Sequence, residues 1–238
     1  ERDLVGVFMA NVRTAYDNIL LNQEIIETQR EMILTLSEVV ESRSKETANH
    51  VKRVGRMAGL MGELVGLGPD EVSLLELAAP LHDIGKIGIP DSVLLKPGPF
   101  SPEERSVMQC HANIGRDIFK SSQRALFLTA GEISSQHHEK WDGSGYPRGL
   151  QGEEIHIYGR IVGLVDVFDA LAHARVYKPA MPVDECVQYL LDQRGRHFDP
   201  HLVDLFIEHK NEFFAIIEEL RDEVDVVPVD TDHVLLEV

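Results

Sequence analysis

The chain has 238 residues, room for one large domain or a domain with an appendage, and its 43% hydrophobic and 26% charged composition supplies a core and excludes wholesale disorder. With 23 Lys plus Arg against 40 Asp plus Glu the formal charge is −17, a field that repels duplex nucleic acid and anionic lipid surfaces. Two cysteines, Cys110 and Cys186, leave no disulfide framework and no thiolate metal site, and they fit a reducing cytoplasmic compartment. Any metal must therefore be held by His and carboxylate. No apolar run approaches the ~20 residues of a membrane span, and no signal peptide is visible. The first residue is Glu1 rather than Met, which suggests a fragment from which an upstream domain is missing.

In chain order, residues 1–40 read as one helix with an apolar seam at Val12, Ala15, Ile19, Ile26, Ile33, Leu36 and Val40, spaced alternately three and four apart. Asn22 and Gln29 fall in the same seam. The β-branched residues at Val12, Ile19, Ile26, Ile33 and Val40 suit a parallel two-stranded coiled coil, so a homodimer through residues 8–40 is expected. The same stripe also suits one long amphipathic helix packed on its own domain. Residues 41–222 stay helical, broken by Gly/Pro punctuation, with no convincing strand alternation, and the fold class is expected to be all-α. Ser101-Pro102-Glu103-Glu104 reads as a capped helix start that carries His111 on the helix it opens. A last amphipathic helix follows Phe198-Asp199-Pro200. The acidic, Val-rich tail over 223–238 has no assignment.

Five of the eleven histidines stand in contexts suggestive of metal ligation. Glu46 and His50 are four apart on one predicted helix, so both can reach one ion. His82-Asp83 suits a site where the His holds one ion and the Asp bridges to a second. His111 follows on the capped helix, His137-His138 form another adjacent pair, and Asp166 lies in an apolar stretch where a carboxylate is costly to bury without a cation or hydrogen bonds. His156, His173, His197, His201, His209 and His233 have no comparable setting. Imidazole and carboxylate without thiolate favour iron, manganese or another borderline ion over structural zinc. Each of these groups alone is more often a satisfied core or surface residue than a ligand.

The surrounding text carries more. His82-Asp83-Ile84-Gly85-Lys86-Ile87-Gly88 and His137-His138-Glu139-Lys140-Trp141-Asp142-Gly143-Ser144-Gly145-Tyr146-Pro147 resemble the two signature blocks of the HD-GYP family within the HD phosphohydrolase superfamily. The resemblance spans about residues 36–211 and takes in Leu95-Lys96-Pro97-Gly98, Asp166 to Leu171, Arg175 to Lys178 and Gly195 to Pro200. It implies an all-helical domain hydrolysing the 3′,5′ bonds of cyclic dinucleotide messengers, cyclic di-GMP or hybrid cyclic GMP-AMP, with two or three divalent ions. It makes Glu46, His50, His82, Asp83, His111, His137, His138 and Asp166 the metal ligands, Asp83 and Lys86 the catalytic pair, and Lys86, Tyr146, Asp169, Arg175 and Lys178 the messenger contacts. It also implies contacts with signalling proteins at the Gly-Tyr-Pro loop and a regulatory domain upstream of the opening helix. Ala172-His173 and Pro99-Phe100-Ser101 depart from the family pattern. A sensor that binds without hydrolysis and a different nucleotide phosphohydrolase are the competing classes; all eight ligand types are present, which favours hydrolysis.

Overall fold

The computed structural model describes residues 2–44, 47–172 and 182–221. Among these the protein is all-α: α1 (Arg2–Ser44), α2 (Ala48–Leu64), α3 (Pro69–Ala78), α4 (Asp91–Leu94), α5 (Pro102–Phe119), α6 (Ala125–Gln136), α7 (Ile157–Ala172), α8 (Val183–Asp192), α9 (Pro200–Glu208) and α10 (Lys210–Glu219). Short 3-10 turns cover Ala79–Leu81, Ile84–Gly88 and Gly152–Glu154. The tail over 223–238 lies outside the described residues, as do Glu46, Arg175 and Lys178.

Helix α2 is the axis of the core. Val51, Val54, Met57, Ala58 and Met61, at i, i+3, i+4 spacing, are fully buried, and α2 packs against α3, α7, α9 and α10. The opposite wall is α7, whose Ile161, Val162, Leu164, Val165 and Phe168 are buried all round, with the Phe168 ring edge-on to Phe206 at 4.7 Å. Helices α5 and α6 close the other end. The start of α5 is capped as its sequence requires: the Ser101 hydroxyl accepts from the Glu104 amide, and the Glu104 carboxylate accepts from the Ser101 amide at 2.7 Å.

Helix α1 does two things along one length. Its 43 residues span about 65 Å at the α-helical rise. Residues 5–29 are exposed along their whole length, Val12, Ile19 and Ile26 included. The last turns bury Ile33, Ser37, Val40 and Glu41 against α2 and the 3-10 turns, with Arg30 paired to Glu76 at 2.8 Å and Lys52 to Glu38 at 3.1 Å. Two of the expected coiled-coil positions are thereby corrected: Ile33 and Val40 are 6% and 4% exposed and belong to the intrachain core. The stripe is continuous but its occupant changes, because a helix face that meets its own domain is filled by the same β-branched residues that a coil would use.

Candidate metal centre

Four helices and one loop converge on a single cluster. His50 comes from the first turn of α2, His111 from α5, His137 and His138 from the end of α6, and Asp166 from the middle of α7. His82 and Asp83 sit between the 3-10 turns Ala79–Leu81 and Ile84–Gly88, so they leave a kinked segment rather than a regular helix. Seven of the eight expected ligands meet here, in groups whose ligand atoms lie within 4.8 Å of one another: Asp83, His111, His137 and His138 in one, His50, His82 and Asp166 in another. A third group joins Glu41 to His82 and Asp83, and Asp83 and His82 thus each belong to two groups.

Close backbone approach makes this convergence possible. A Cβ on Gly85 would overlap the His111 carbonyl, so only glycine lets the His-Asp segment lie against α5 at the turn that bears His111. A Cβ on Gly163 would stand 2.6 Å from the His137 carbonyl, which is how α7 brings Asp166 alongside the end of α6.

Ring orientation follows from the helices themselves. The Nδ1 of His82 faces the Ala79 carbonyl at 3.0 Å, that of His111 the Met108 carbonyl at 2.7 Å, and that of His137 the Ser134 carbonyl at 3.1 Å. A carbonyl accepts only, so each Nδ1 carries the proton and each Nε2 lone pair points into the cluster. His50 is oriented instead by Asp169, whose Oδ2 lies 2.8 Å from His50 Nδ1 while Arg53 Nε donates to Oδ1 at 2.6 Å. The implied role of Asp169 was messenger contact; it is 2% exposed, behind His50.

The Nε2 atoms of His82, His111 and His137 and the Oδ1 of Asp83 are buried without a hydrogen-bond partner among the described residues. Four buried polar atoms in one place, each left unmatched, would cost several kcal/mol without a common partner. Carboxylate oxygens lie close by: Asp83 Oδ1 is 3.2 Å from His111 Nε2 and 3.6 Å from His137 Nε2, and Asp166 Oδ1 is 3.6 Å from His50 Nε2 and 3.8 Å from His82 Nε2. Lone pairs and carboxylates facing a shared centre are the donor set of a divalent metal, and the residues fit one.

Electrostatics agree. Burial by itself pushes the His82 imidazole down, but Asp83, Asp166 and Glu41 carry it up to about 10, so the carboxylates around its Nε2 favour a positive charge there, a proton or the metal that displaces it. Burial, reinforced by His137, holds His111 and His138 below the ordinary imidazole value, which keeps them neutral and able to donate lone pairs. Burial opposes the charge on Asp83, yet Lys86, His82 and His137 hold its carboxyl well below the usual range. Lys86 Nζ is 2.6 Å from Asp83 Oδ2 and 3.1 Å from Glu41 Oε2. Tyr146 stacks on His138 with ring centres 4.7 Å apart, and the loop that presents it is tied down by Glu139, whose carboxylate accepts from the amides of Arg148 and Leu150. Gly143 and Gly149 supply positive φ in that loop.

Sequence reasoning missed Glu41, 2% exposed and beside the cluster, and Arg53, 1% exposed behind Asp169. A signal for Glu41 existed. It falls on the helix face of Ile33, Ser37 and Val40, where a carboxylate is buried only with a partner.

Residues 34–202 match the family model of the HD domain, and the chain belongs to the HD-domain family, in its HD-GYP branch. It is 44% identical over 222 residues to the 3′3′-cGAMP-specific phosphodiesterase 2 of Vibrio cholerae, covering 93% of this chain and 42% of that one. It is 47% identical over 184 residues to the cyclic di-GMP phosphodiesterase response regulator RpfG of Xanthomonas campestris, covering 77% of this chain and 49% of that one. The chain thus spans less than half the length of these relatives. Among solved structures, a cyclic GMP-AMP specific phosphodiesterase of V. cholerae shares the fold with a TM-score of 0.60 at 19% identity, over 82% of this chain and 51% of that one.

Proposed function

We propose that this chain is a metal-dependent phosphodiesterase that opens a 3′,5′ bond of a cyclic dinucleotide, cyclic di-GMP or 3′,3′-cyclic GMP-AMP, giving the linear dinucleotide or mononucleotides. The observation that carries the reading is Asp83: one carboxylate shared by two ligand groups, flanked by the Nε2 atoms of His82, His111 and His137, which have no hydrogen-bond partner among the described residues. His50, His82, Asp83, His111, His137, His138 and Asp166 would hold two or three iron or manganese ions, with Glu46, outside the described residues, as an eighth ligand. Bound there, such ions lower the pKa of water and neutralise phosphate oxygens. The remaining work falls to the protein. Lys86, at the mouth of the cluster and 11% exposed, places an ammonium where a phosphate enters. Tyr146 offers an aromatic face beside His138 for a base. Asp169 acts through His50, fixing its Nε2 toward the cluster. Arg175 and Lys178, also outside the described residues, would grip the second phosphate.

Incubating the metal-loaded full chain with each cyclic dinucleotide and separating the products by chromatography tests this; linear product with one or both is expected, and intact substrate throughout would refute it. The exposed stripe at Val12, Ile19 and Ile26 is proposed to pair with a second copy in parallel, which sets any regulatory domain upstream of α1 beside its counterpart. The Gly-Tyr-Pro loop is proposed as a contact for a signalling partner. Among the described residues no helix is long and apolar enough to cross a membrane, and a cytoplasmic setting is proposed.

A further inference from the structure

The last turn of α1 enters the site. Glu41 is 2% exposed, and its Oε2 receives the Lys86 ammonium at 3.1 Å and the Ser44 hydroxyl at 2.9 Å. Two residues further on, Arg43 reaches the outer side of the same segment. Its Nη1 donates to the carbonyls of Lys86 at 3.2 Å and Ile87 at 3.1 Å, and its Nη2 to the carbonyl of Ile89 at 3.3 Å and to Asp91 Oδ1 at 2.7 Å. The 3-10 turn Ile84–Gly88 is therefore held from the side chain of Lys86 by Glu41 and from its backbone by Arg43, both from one helical turn. A 3-10 turn has weaker internal hydrogen bonds than an α-helix, so outside contacts decide where it sits.

We propose that Glu41 is the positioning residue for Lys86 and that Arg43 anchors the turn bearing it, so that the end of α1 is a working part of the active site. This rests on the reading of Lys86 as a phosphate-contacting group. A flexible lysine on a four-carbon stem has much rotamer entropy to lose, and a buried carboxylate fixed by Ser44 confines it before the substrate arrives. Asp83, at 2.6 Å, adds to the confinement from the metal side. Glu41 also lies within reach of His82 and Asp83, and a ligand role predicts a different outcome from a positioning role.

The test uses the full chain and three readouts. The first needs no substrate: acylation of each lysine by a water-soluble active ester, followed by peptide mass spectrometry. In the wild type Lys86 is expected to react slowly; in Glu41→Gln its rate is expected to rise about fivefold or more relative to the other lysines, because the held ammonium is released. The second is metal content, expected to be unchanged in Glu41→Gln. The third is turnover of the cyclic dinucleotide: Glu41→Gln is expected to lower kcat about tenfold with KM within about twofold, and to cause no further loss when added to Lys86→Met, since a residue that acts through Lys86 has nothing to position once it is gone. Glu41→Asp is expected to restore part of kcat. Unchanged acylation of Lys86 overturns the proposal whatever the activity. Loss of metal in Glu41→Gln reassigns Glu41 as a ligand, and equal losses in both backgrounds make its role independent of Lys86; either result overturns it as well. Absence of turnover in the wild type refutes the phosphodiesterase reading, and the acylation result still decides whether Glu41 holds Lys86.

Discussion

Asp83 belongs to two of the three ligand groups, and its replacement separates chemistry from folding. Asp83→Ala removes a shared metal contact and no apolar packing, so hydrolysis is expected to fall below detection while the far-ultraviolet circular dichroism stays helical; retained turnover would show that the carboxylate is dispensable. Asp169 sits one shell further out. Asp169→Asn keeps the shape but weakens the hold on His50 Nδ1, and the affinity for metal is expected to drop about 10- to 100-fold, read by competition with a chelating dye. An unchanged affinity would leave Asp169 without the orienting role given to it.

His197 provides a stability signature away from the cluster. Burial, then Lys140, pushes its imidazole down to about 4, with the ring stacked on Phe198 at 4.2 Å. The unfolded chain, near 6.5, binds a proton that the folded protein refuses, so stability is full above about pH 6.5 and is lost as pH falls toward 4, at no more than about 1.4 kcal/mol per pH unit. In His197→Phe this part of the pH dependence is expected to be absent, so the stability difference between wild type and variant, read from denaturant curves, changes across pH 4–6.5; a difference that is flat over that range would contradict the assignment.

At the scale of elements, the site is made by close approach as much as by ligands. Gly85→Ala would drive a methyl group into the His111 carbonyl, and separation of the turn Ile84–Gly88 from α5 is expected to cost about 1–3 kcal/mol and to reduce metal content together with activity. Thermal melting and metal analysis on one preparation check both. Ser101→Ala, by contrast, removes the α5 cap at about 1 kcal/mol while leaving the cluster composition intact.

These elements also show what could be read in advance. The capped start of α5 was legible because Ser, Pro and Glu occupy N-cap, N1 and N3, a pattern whose cause is local. The His-Asp and His-His blocks were legible because such residues are rarely crowded together without a common partner. Arg53 was not, since it is buried by a contact with Asp169 across more than a hundred positions of chain and nothing near it in sequence announces it; Glu41, held by Lys86 from 45 positions away, left only its place on the buried face of Ile33, Ser37 and Val40 as a sign. Ile33 and Val40 were assigned to the wrong partner because helical spacing reports that a face is covered without saying by what.

For the whole molecule, the two-part character of α1 sets the expectation for assembly. Its exposed portion carries Val12, Ile19 and Ile26 with Asn22 in the seam, while Ile33 and Val40 are already committed to the core. Removal of residues 1–29 is expected to leave a folded, metal-binding monomer, whereas the full chain self-associates, as read by light scattering over the micromolar range. Equal masses for the two chains would remove the dimer. Removal as far as Ser44 would in addition take away Ile33, Val40, Glu41 and Arg43, and is expected to destabilise the domain itself.

The central claim is that the His and Asp cluster holds metal in order to cleave a cyclic dinucleotide. The most direct measurement is metal content and hydrolysis on the same sample of the 238-residue chain, before chelation, after chelation, and after iron or manganese is restored. Linear product that disappears with the metal and returns with it, and that never forms with Asp83→Ala, is the result expected; a fully metal-loaded wild-type protein that leaves both cyclic di-GMP and 3′,3′-cyclic GMP-AMP intact would contradict it.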